Sequence, residues 1–312
     1  MKMARRSTRR TVARLAGGAL LAPALLLGLD AAPVAAQSRL YVHAFEQASG
    51  ALVTDLDRAE VIVREDGIVR PVVDVRLANL PARVVILVDN SRRARRGLDR
   101  VREGLQYFVD RLPPYQEVSI ATLSPNPRWL VQGEIEPEPL REGIERLGVG
   151  GRSLRLLDGL VMAGEWLAED SGPFRGVLVV ISTAGVDRSR ASTQRFTEMV
   201  EQARDAGMRA HTLLMQPLNP NVLRRGVTLP EAVGRDLETY TEGSYRRASL
   251  GSDLRDALGG IADRILERNR ELARQHLVRY DRPPDAPSGT VHVTVTRFGV
   301  RYVVSTDGKS TH

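Results

Sequence analysis

The spacing of hydrophobic residues changes along this chain, and the changes divide it. Leu40–Phe45 alternates between apolar and polar positions, and so do Ala59–Val63 and Ile68–Val75 on either side of Glu65-Asp66-Gly67. A period of two residues predicts half-buried strands. Asp-Gly between β-branched runs predicts a tight hairpin turn, because the positive φ that such a turn needs is unstrained at glycine. Residues 37–80 therefore read as a small β unit, too short to support itself.

At Arg83 the pattern becomes one of buried strands alternating with helices. Val84, Val85, Ile86, Leu87 and Val88 are an unbroken apolar run, mostly β-branched, which predicts a strand covered on both faces as in parallel sheets. The run stops at Asp89-Asn90-Ser91, at the edge of an open α/β sheet where ligands bind. Leu98, Val101, Leu105, Phe108, Val109 and Leu112 recur at helical spacing until Pro113-Pro114. Strands follow at Val118–Leu123 and Trp129–Val131, a helix over Leu140–Leu147, then Gly148-Val149-Gly150-Gly151 and a helix over Ser153–Ala168. Val177–Ile181 and Ala210–Met215 read as strands around a helix marked by Phe196, Met199, Val200 and Ala203. Gln216–Val227 reads as a surface loop, and helices over Leu229–Tyr240 and Leu250–Leu272 close the unit. The alternation predicts a doubly wound, mostly parallel sheet, Rossmann-like in class.

The tail returns to β spacing. His276–Tyr280 is a short strand, Pro283-Pro284 a stop, and Val291–Thr296 with Val300–Ser305 alternates around Phe298-Gly299. Since neither terminal segment can bury a face alone, the tail strands are expected to complete a small β-sandwich begun by residues 37–80. The expected organisation is a signal peptide at 1–36, an N-terminal β segment at 37–80, an α/β domain at 81–272 and C-terminal strands at 273–312.

Composition narrows the function classes. The formal charge is +7, but the first 36 residues hold Lys2, Arg5, Arg6, Arg9, Arg10 and Arg14 against Asp30, and without them 39 basic residues face 37 acidic ones. The basicity belongs mainly to the N-terminus, so nucleic acid is not implied as a partner. That N-terminus has a basic head, an apolar stretch from Leu15 to Leu29 and small residues at Val34 and Ala36, the pattern of an export signal cleaved before Gln37. Thr8-Arg9-Arg10-Thr11-Val12 resembles a twin-arginine signal, which leaves two export routes open. A periplasmic or secreted protein is expected, with no membrane span after signal removal. There is no cysteine, hence neither a disulfide framework nor a thiolate metal site.

The order of features resembles that of exported bacterial VWFA-related domain proteins, which carry a von Willebrand factor type A-like domain. The residues concerned are the β segment ending in VREDG, the strand ending in DNS, the Gly pair before a helix, LVVISTAGVD, and QHLVRYDRPP before the terminal strands. The resemblance implies a type A fold with a metal-ion-dependent adhesion site (MIDAS), in which Asp-x-Ser-x-Ser, a Thr after a Gly pair and an Asp after the fourth strand hold Mg²⁺ while an open position takes a partner's carboxylate. Asp89 and Ser91 match. The second Ser is Arg93, the Thr is Arg152, and the expected Asp is Ala184. A guanidinium has donors only and stays protonated, so it cannot ligate a cation. At about 5 Å and an effective dielectric of about 20, each would oppose a dication by roughly 6 to 7 kcal/mol before relaxation. The resemblance thus implies a degenerate site at Asp89 and Ser91 with no resident metal, and Asp187 and Ser153 are the residues that could restore one.

Two readings of the arginines follow. Arg93 or Arg152 could replace the metal's charge, pairing with Asp89 or offering a fork to a partner's carboxylate. The alternative makes Arg92, Arg93, Arg95 and Arg96 a solvated helix start and Arg152 a loop residue. The five histidines lack paired metal-ligand spacing, no Gly-x-Ser-x-Gly elbow surrounds Ser91, and Gly148–Gly151 follows a helix rather than the first strand, so it is no dinucleotide fingerprint. A non-catalytic protein-binding or scaffolding module of the cell envelope is expected. The alternatives are an adhesion domain keeping a weak Mg²⁺ site and an exported enzyme with a small-ligand site on the sheet.

Overall fold

The computed structural model describes residues 36–168, 175–216, 227–249, 253–283 and 289–306. The expected signal segment lies outside these residues except for Ala36, as does most of the expected loop at 216–227.

Strand β1 spans Ala36–Glu46. Strands β2, Val61–Glu65, and β3, Ile68–Arg70, form a hairpin with Glu65 opposite Ile68. Its turn residues Asp66 and Gly67 have φ of 49° and 82°, the left-handed pair required by a two-residue loop. The alternation from Ile68 to Val75, expected as one strand, is two. Pro71 has no N–H to extend the ladder, and β4, Val72–Leu77, crosses to a different sheet.

Strand β5, Ala82–Val88, is buried at every residue. It is followed by α1 (Leu98–Arg111), β6 (Glu117–Thr122), β7 (Arg128–Glu134), α2 (Pro137–Glu145), α3 (Leu156–Ala168), β8 (Arg175–Thr183), α4 (Thr193–Asp205), β9 (Arg209–Gln216), α5 (Leu229–Thr241), β10 (Ser244–Ser249) and α6 (Asp253–Leu272). These strands make one six-stranded sheet of order β10-β9-β8-β5-β6-β7, parallel except for β7. Alternate residues of β5 feed two cores. Val84, Ile86 and Val88 meet Val101, Leu105 and Phe108 of α1, Ile144 of α2 and Leu258 and Ile261 of α6. Val85 and Leu87 meet Leu157 and Leu160 of α3, Phe196 and Met199 of α4 and Leu237 of α5. The doubly wound, mostly parallel α/β fold expected from the alternation is the one observed. Strand β10 escaped the sequence reading because SYRRAS is an edge strand that buries only Ala248, with Arg246 and Arg247 exposed.

The terminal segments interleave. Strands β11 (His276–Arg282), β12 (Val291–Val295) and β13 (Val300–Ser305) complete two further sheets of order β13-β1-β11-β4 and β12-β2-β3. Although β12 and β13 are adjacent in sequence, they are not a hairpin: Val293 lies opposite Val63 and Tyr302 opposite Ala44. Leu40, Val42, Ala44, Val61, Val63, Val278 and Tyr280 fill the core between the two sheets. Arg297, between β12 and β13, binds both oxygens of Glu60 at 2.7 and 2.6 Å and Asp55 Oδ1 at 2.6 Å. A smaller apolar cluster of Tyr41, Ala78, Leu272 and Leu277 joins these sheets to the end of α6.

Candidate functional site

In the six-stranded sheet the helix after β5 packs on one face and the helix after β8 on the other, so the carboxyl ends of these neighbouring strands are the switch point at which open α/β sheets bind ligands. Asp89 sits there, 0% exposed. Its N–H continues the ladder to Ile181 O at 2.7 Å. Its Oδ1 accepts from the Ser91 N–H at 2.9 Å, and its Oδ2 accepts from the Thr183 N–H at 3.1 Å and hydroxyl at 2.5 Å.

Asn90 ties this loop to two others. Its Nδ2 donates to Gly148 O at 2.9 Å, its Oδ1 accepts from the Ser124 N–H at 3.0 Å, and its carbonyl accepts from the Gly150 N–H at 2.7 Å. The glycine pair is dictated by close approach. A Cβ on Gly150 would stand 2.2 Å from Ser124 O, and one on Gly151 2.8 Å from Pro125 Cβ.

Asp187, named from the sequence as able to restore a metal, has another task. Its Oδ1 accepts from the Leu156 N–H at 2.6 Å and the Ser189 hydroxyl at 2.9 Å, and its Oδ2 accepts from the Ser189 N–H at 3.3 Å. It therefore satisfies a free amide at the start of α3 and shapes the loop after β8. Asp158 does the reverse from inside α3, accepting from the Arg190 and Ala191 N–H groups at 2.8 and 2.7 Å and pairing with Arg155 at 3.2 Å. Ser153 is half-buried beside them.

The three loops singled out by the resemblance, after the first strand of the unit, around the Gly pair and after its fourth strand, thus meet at one edge of a doubly wound sheet. The α/β unit has the fold that the resemblance to von Willebrand type A-like domains implies. No family model matches the chain, and no curated protein does. Among solved structures it is similar to the conserved hypothetical protein BatB from Bacteroides thetaiotaomicron, with 14% identity, 60% of this chain and 99% of that one covered, and a TM-score of 0.43. A von Willebrand factor type A protein from Catenulispora acidiphila shares 11% over 75% of this chain and 51% of that one, TM-score 0.46. Proximal thread matrix protein 1 from the mussel byssus, with a zinc-occupied MIDAS motif, shares 12% over 59% and 48%, TM-score 0.45.

The donor set of the type A-like domain does not fit a divalent cation. Such an ion needs about six oxygen ligands. The carboxylate of Asp89 already accepts three hydrogen bonds, that of Asp187 on the neighbouring loop accepts three others, and the Thr183 hydroxyl is given to Asp89, which leaves the Ser91 hydroxyl. Among the described residues no group of three or more His, Asp or Glu is placed to hold a metal.

Of the two readings of the arginines, the structure bears on one part, the pairing of Arg93 or Arg152 with Asp89. Neither Arg93 nor Arg152 pairs with Asp89. The carboxylate is sealed under Thr183, and both guanidinium groups are exposed. Arg93 lies across the neighbouring loop, its Cδ 3.7 Å from where a Cβ on Gly185 would stand. With Arg92, Arg95 and Arg96 on the first loop and Arg188 and Arg190 on the loop after β8, they make seven exposed arginines over one edge. Among the described residues none of the seven makes a side-chain hydrogen bond or ion pair. Val149 and Val186, 46% and 54% exposed, stand on the second and third of these loops. Asn90 and Thr183, which hold the edge together, were passed over in the sequence. Asn90 is hidden in the x position of Asp-x-Ser, and Thr183 in an apolar strand.

Proposed function

We propose that this chain is a non-catalytic protein-binding module of the cell envelope, whose type A-like domain engages an acidic partner segment through its arginine-covered edge, without a metal. The observation that carries the reading is the set of seven exposed arginines, Arg93 and Arg152 among them, that have no ion pair among the described residues, on the loops that carry two exposed valines and a carboxylate already satisfied. Guanidinium forks give bidentate recognition of carboxylates, and exposed valines among them add apolar contact area. Electrostatic steering to such a surface raises association rates and weakens with salt. The N-terminal basic head and apolar stretch support export. Among the described residues no helix is long and apolar enough to cross a membrane.

The test is capture from the organism's own envelope fraction with the mature chain as bait. An acidic partner should be retained at low salt and lost in Arg93→Glu and Arg152→Glu baits that fold normally. Capture indifferent to both substitutions overturns the reading. So does calorimetry in which Mg²⁺ binds saturably at micromolar concentration and ceases to bind in Asp89→Ala.

A further inference from the structure

The charge of the six-stranded sheet is uneven from one end to the other. The seven exposed arginines stand on the loops after β5 and β8 and before α3, at the carboxyl end of the parallel strands. At the other end the connection from β7 to α2 is acidic. Strand β7 runs antiparallel to β6 and finishes with Glu134 opposite Val118, near the start of β6. Glu134-Ile135-Glu136-Pro137-Glu138 therefore lies at the amino end of the parallel strands. The seven residues of β5, at about 3.3 Å each, separate the two ends by roughly 20 Å.

Glu134 shapes the acidic end. Its Oε1 accepts from the Ile135 and Glu136 N–H groups at 2.9 and 3.0 Å, which turns the connection back on its own carboxylate. Ile135 is left 47% exposed, and Glu136, Glu138 and Glu142 are exposed with it. Arg141, the only basic residue from 134 to 142, is shared by Glu138 at 3.2 Å and Asp110 at 2.8 Å. It can therefore neutralise one of these five carboxylates. Arg83 and Arg111, which also lie toward this end, are matched by Glu117 at 2.6 Å and Asp263 at 2.7 Å. Glu145 and Arg146, at the far end of α2, carry opposite charges. The amino end of α2 offsets about half a charge, which leaves the connection clearly negative. Tyr115, 77% exposed on the segment that leads into β6, adds an aromatic side chain at the same end of the sheet.

The two ends complement each other. One carries guanidinium groups on loops that also expose Val149 and Val186, and the other carries carboxylates beside Ile135. Exposed apolar residues among charges of opposite sign suit a protein–protein contact, and arginine forks take carboxylates bidentately. We propose, building on the reading of the arginine-covered edge given above, that its acidic partner is a second copy of this chain, which presents its β7–α2 connection. Copies then join head to tail. A contact between two different surfaces of one molecule is heterologous and repeats unless its rotation closes a ring. Because the two surfaces lie at opposite ends of one sheet, a bound copy keeps its own edge free for a third. Pairing of two like-charged ends is opposed by repulsion.

The experiment is analytical ultracentrifugation of the mature chain over a range of concentrations. At about 50 mM salt the average mass should rise with concentration past that of a dimer, and at about 500 mM salt it should fall back to the monomer. Arg93→Glu with Arg152→Glu removes one surface, and Ile135→Asn with Glu136→Gln and Glu138→Gln removes the other, all at exposed positions. Each combination should weaken self-association by about tenfold or more. Mixed together, the two variants should form a one-to-one pair and nothing larger, because the mixture keeps one intact edge and one intact acidic end per pair. Such pairing also shows that both variants are folded. The proposal is overturned if the wild-type chain stays monomeric at low salt up to about 500 μM, if its mass stops at a dimer, if association survives either combination, or if the mixed variants do not pair. A monomeric chain whose Arg93 and Arg152 still govern capture from the envelope overturns this proposal alone and assigns the edge to a different acidic protein. A monomeric chain whose capture is indifferent to both arginines overturns the reading of the edge as well.

Discussion

Thr183 gives both its backbone N–H, at 3.1 Å, and its hydroxyl, at 2.5 Å, to one oxygen of Asp89. Two loops that leave neighbouring strands toward opposite faces of the sheet are thereby joined through a single carboxylate. Hydrogen bonds to an ionised group are worth more than neutral ones, and a buried carboxylate that loses a donor is left to carry its charge with less compensation. Thr183→Val removes the hydroxyl while keeping shape and the N–H. We expect it to lower stability by about 1.5 to 3 kcal/mol, read as a lower urea midpoint with an unchanged slope. Mg²⁺ should not restore the loss. A midpoint recovered by millimolar Mg²⁺ would mean that Asp89 serves a cation after all.

Asn90 makes a comparable connection with its amide, reaching Gly148 O and the Ser124 N–H. Asn90→Ala strands both backbone partners at a site where Asn90 itself is only 4% exposed. A buried polar group left unpaired costs about 1 to 3 kcal/mol, so the substitution should destabilise by at least about 2 kcal/mol. It should also speed hydrogen exchange at the Ser124 and Gly150 amides before it affects the β5 core. Uniform exchange across the domain would argue that the three loops are held by packing instead.

Gly150 permits that connection. Its place is beside Ser124 O and Asn90 Nδ2, 2.2 and 2.8 Å from the position of a Cβ. Since the nearer atom is backbone, it cannot rotate away. Gly150→Ala should therefore cost about 1 to 3 kcal/mol through overpacking, whereas Gly260→Ala, with nothing within 4 Å of its Cβ position, should stabilise by up to about 1 kcal/mol on an exposed helix. Equal thermal shifts for the two would remove the close-approach argument.

These residues mark where sequence reading succeeds and where it stops. The apolar run Val84–Val88 can only be a strand covered on both faces, and it set the α/β class. Asp66-Gly67 can hardly be anything but a hairpin turn. Strand β10 was illegible because an edge strand need not be apolar, and the break at Pro71 was missed because alternation continues across it while the hydrogen-bonding partner changes. Asp89 and Ser91 were visible as members of a spaced pattern. Asn90, Thr183 and the capping role of Asp187 were not, since their partners lie 34, 94 and 31 residues away in sequence. Arg93 looked able to reach Asp89, but only the three-dimensional structure shows Thr183 occupying that approach.

The interleaving of the termini makes the tail indispensable to the first strands. β13 pairs with β1 and β12 with β2, so a chain ending at Pro283 would leave both strands with an open edge and uncover Val42, Ala44, Val61 and Val63. Unpaired edges beside an exposed apolar face promote association. We expect the truncated chain to aggregate, while residues 81–272 expressed alone, which keep both cores of the six-stranded sheet, should remain monomeric with a cooperative melt. Size-exclusion chromatography of the two fragments checks this. A well-behaved truncated chain would show that the terminal sheets do not depend on each other.

His211 gives the protein a predictable response to acid. It is buried on β9, its Nδ1 lies 2.9 Å from the Ser244 hydroxyl on β10, and the charges nearest it, Arg264 from α6 and Arg209 from its own strand, are both positive. Burial first and these arginines second lower its folded pKa from 6.5 to about 4. Between those values the unfolded chain binds a proton that the folded one refuses, so this contribution to stability is fully present above about pH 6.5 and is lost as the pH falls toward 4. The loss attributable to this residue between pH 7 and pH 4 is about 3 kcal/mol. His211→Gln keeps a polar side chain without the titration. The variant should be the less stable protein at neutral pH, and the gap between it and wild type should narrow steadily in urea melts as the pH is lowered from 7 to 4.5. Carboxylates that titrate in the same range are common to both proteins and cancel in the difference. A gap that stays constant over this range would mean that His211 is protonated as readily in the folded state as in the unfolded one.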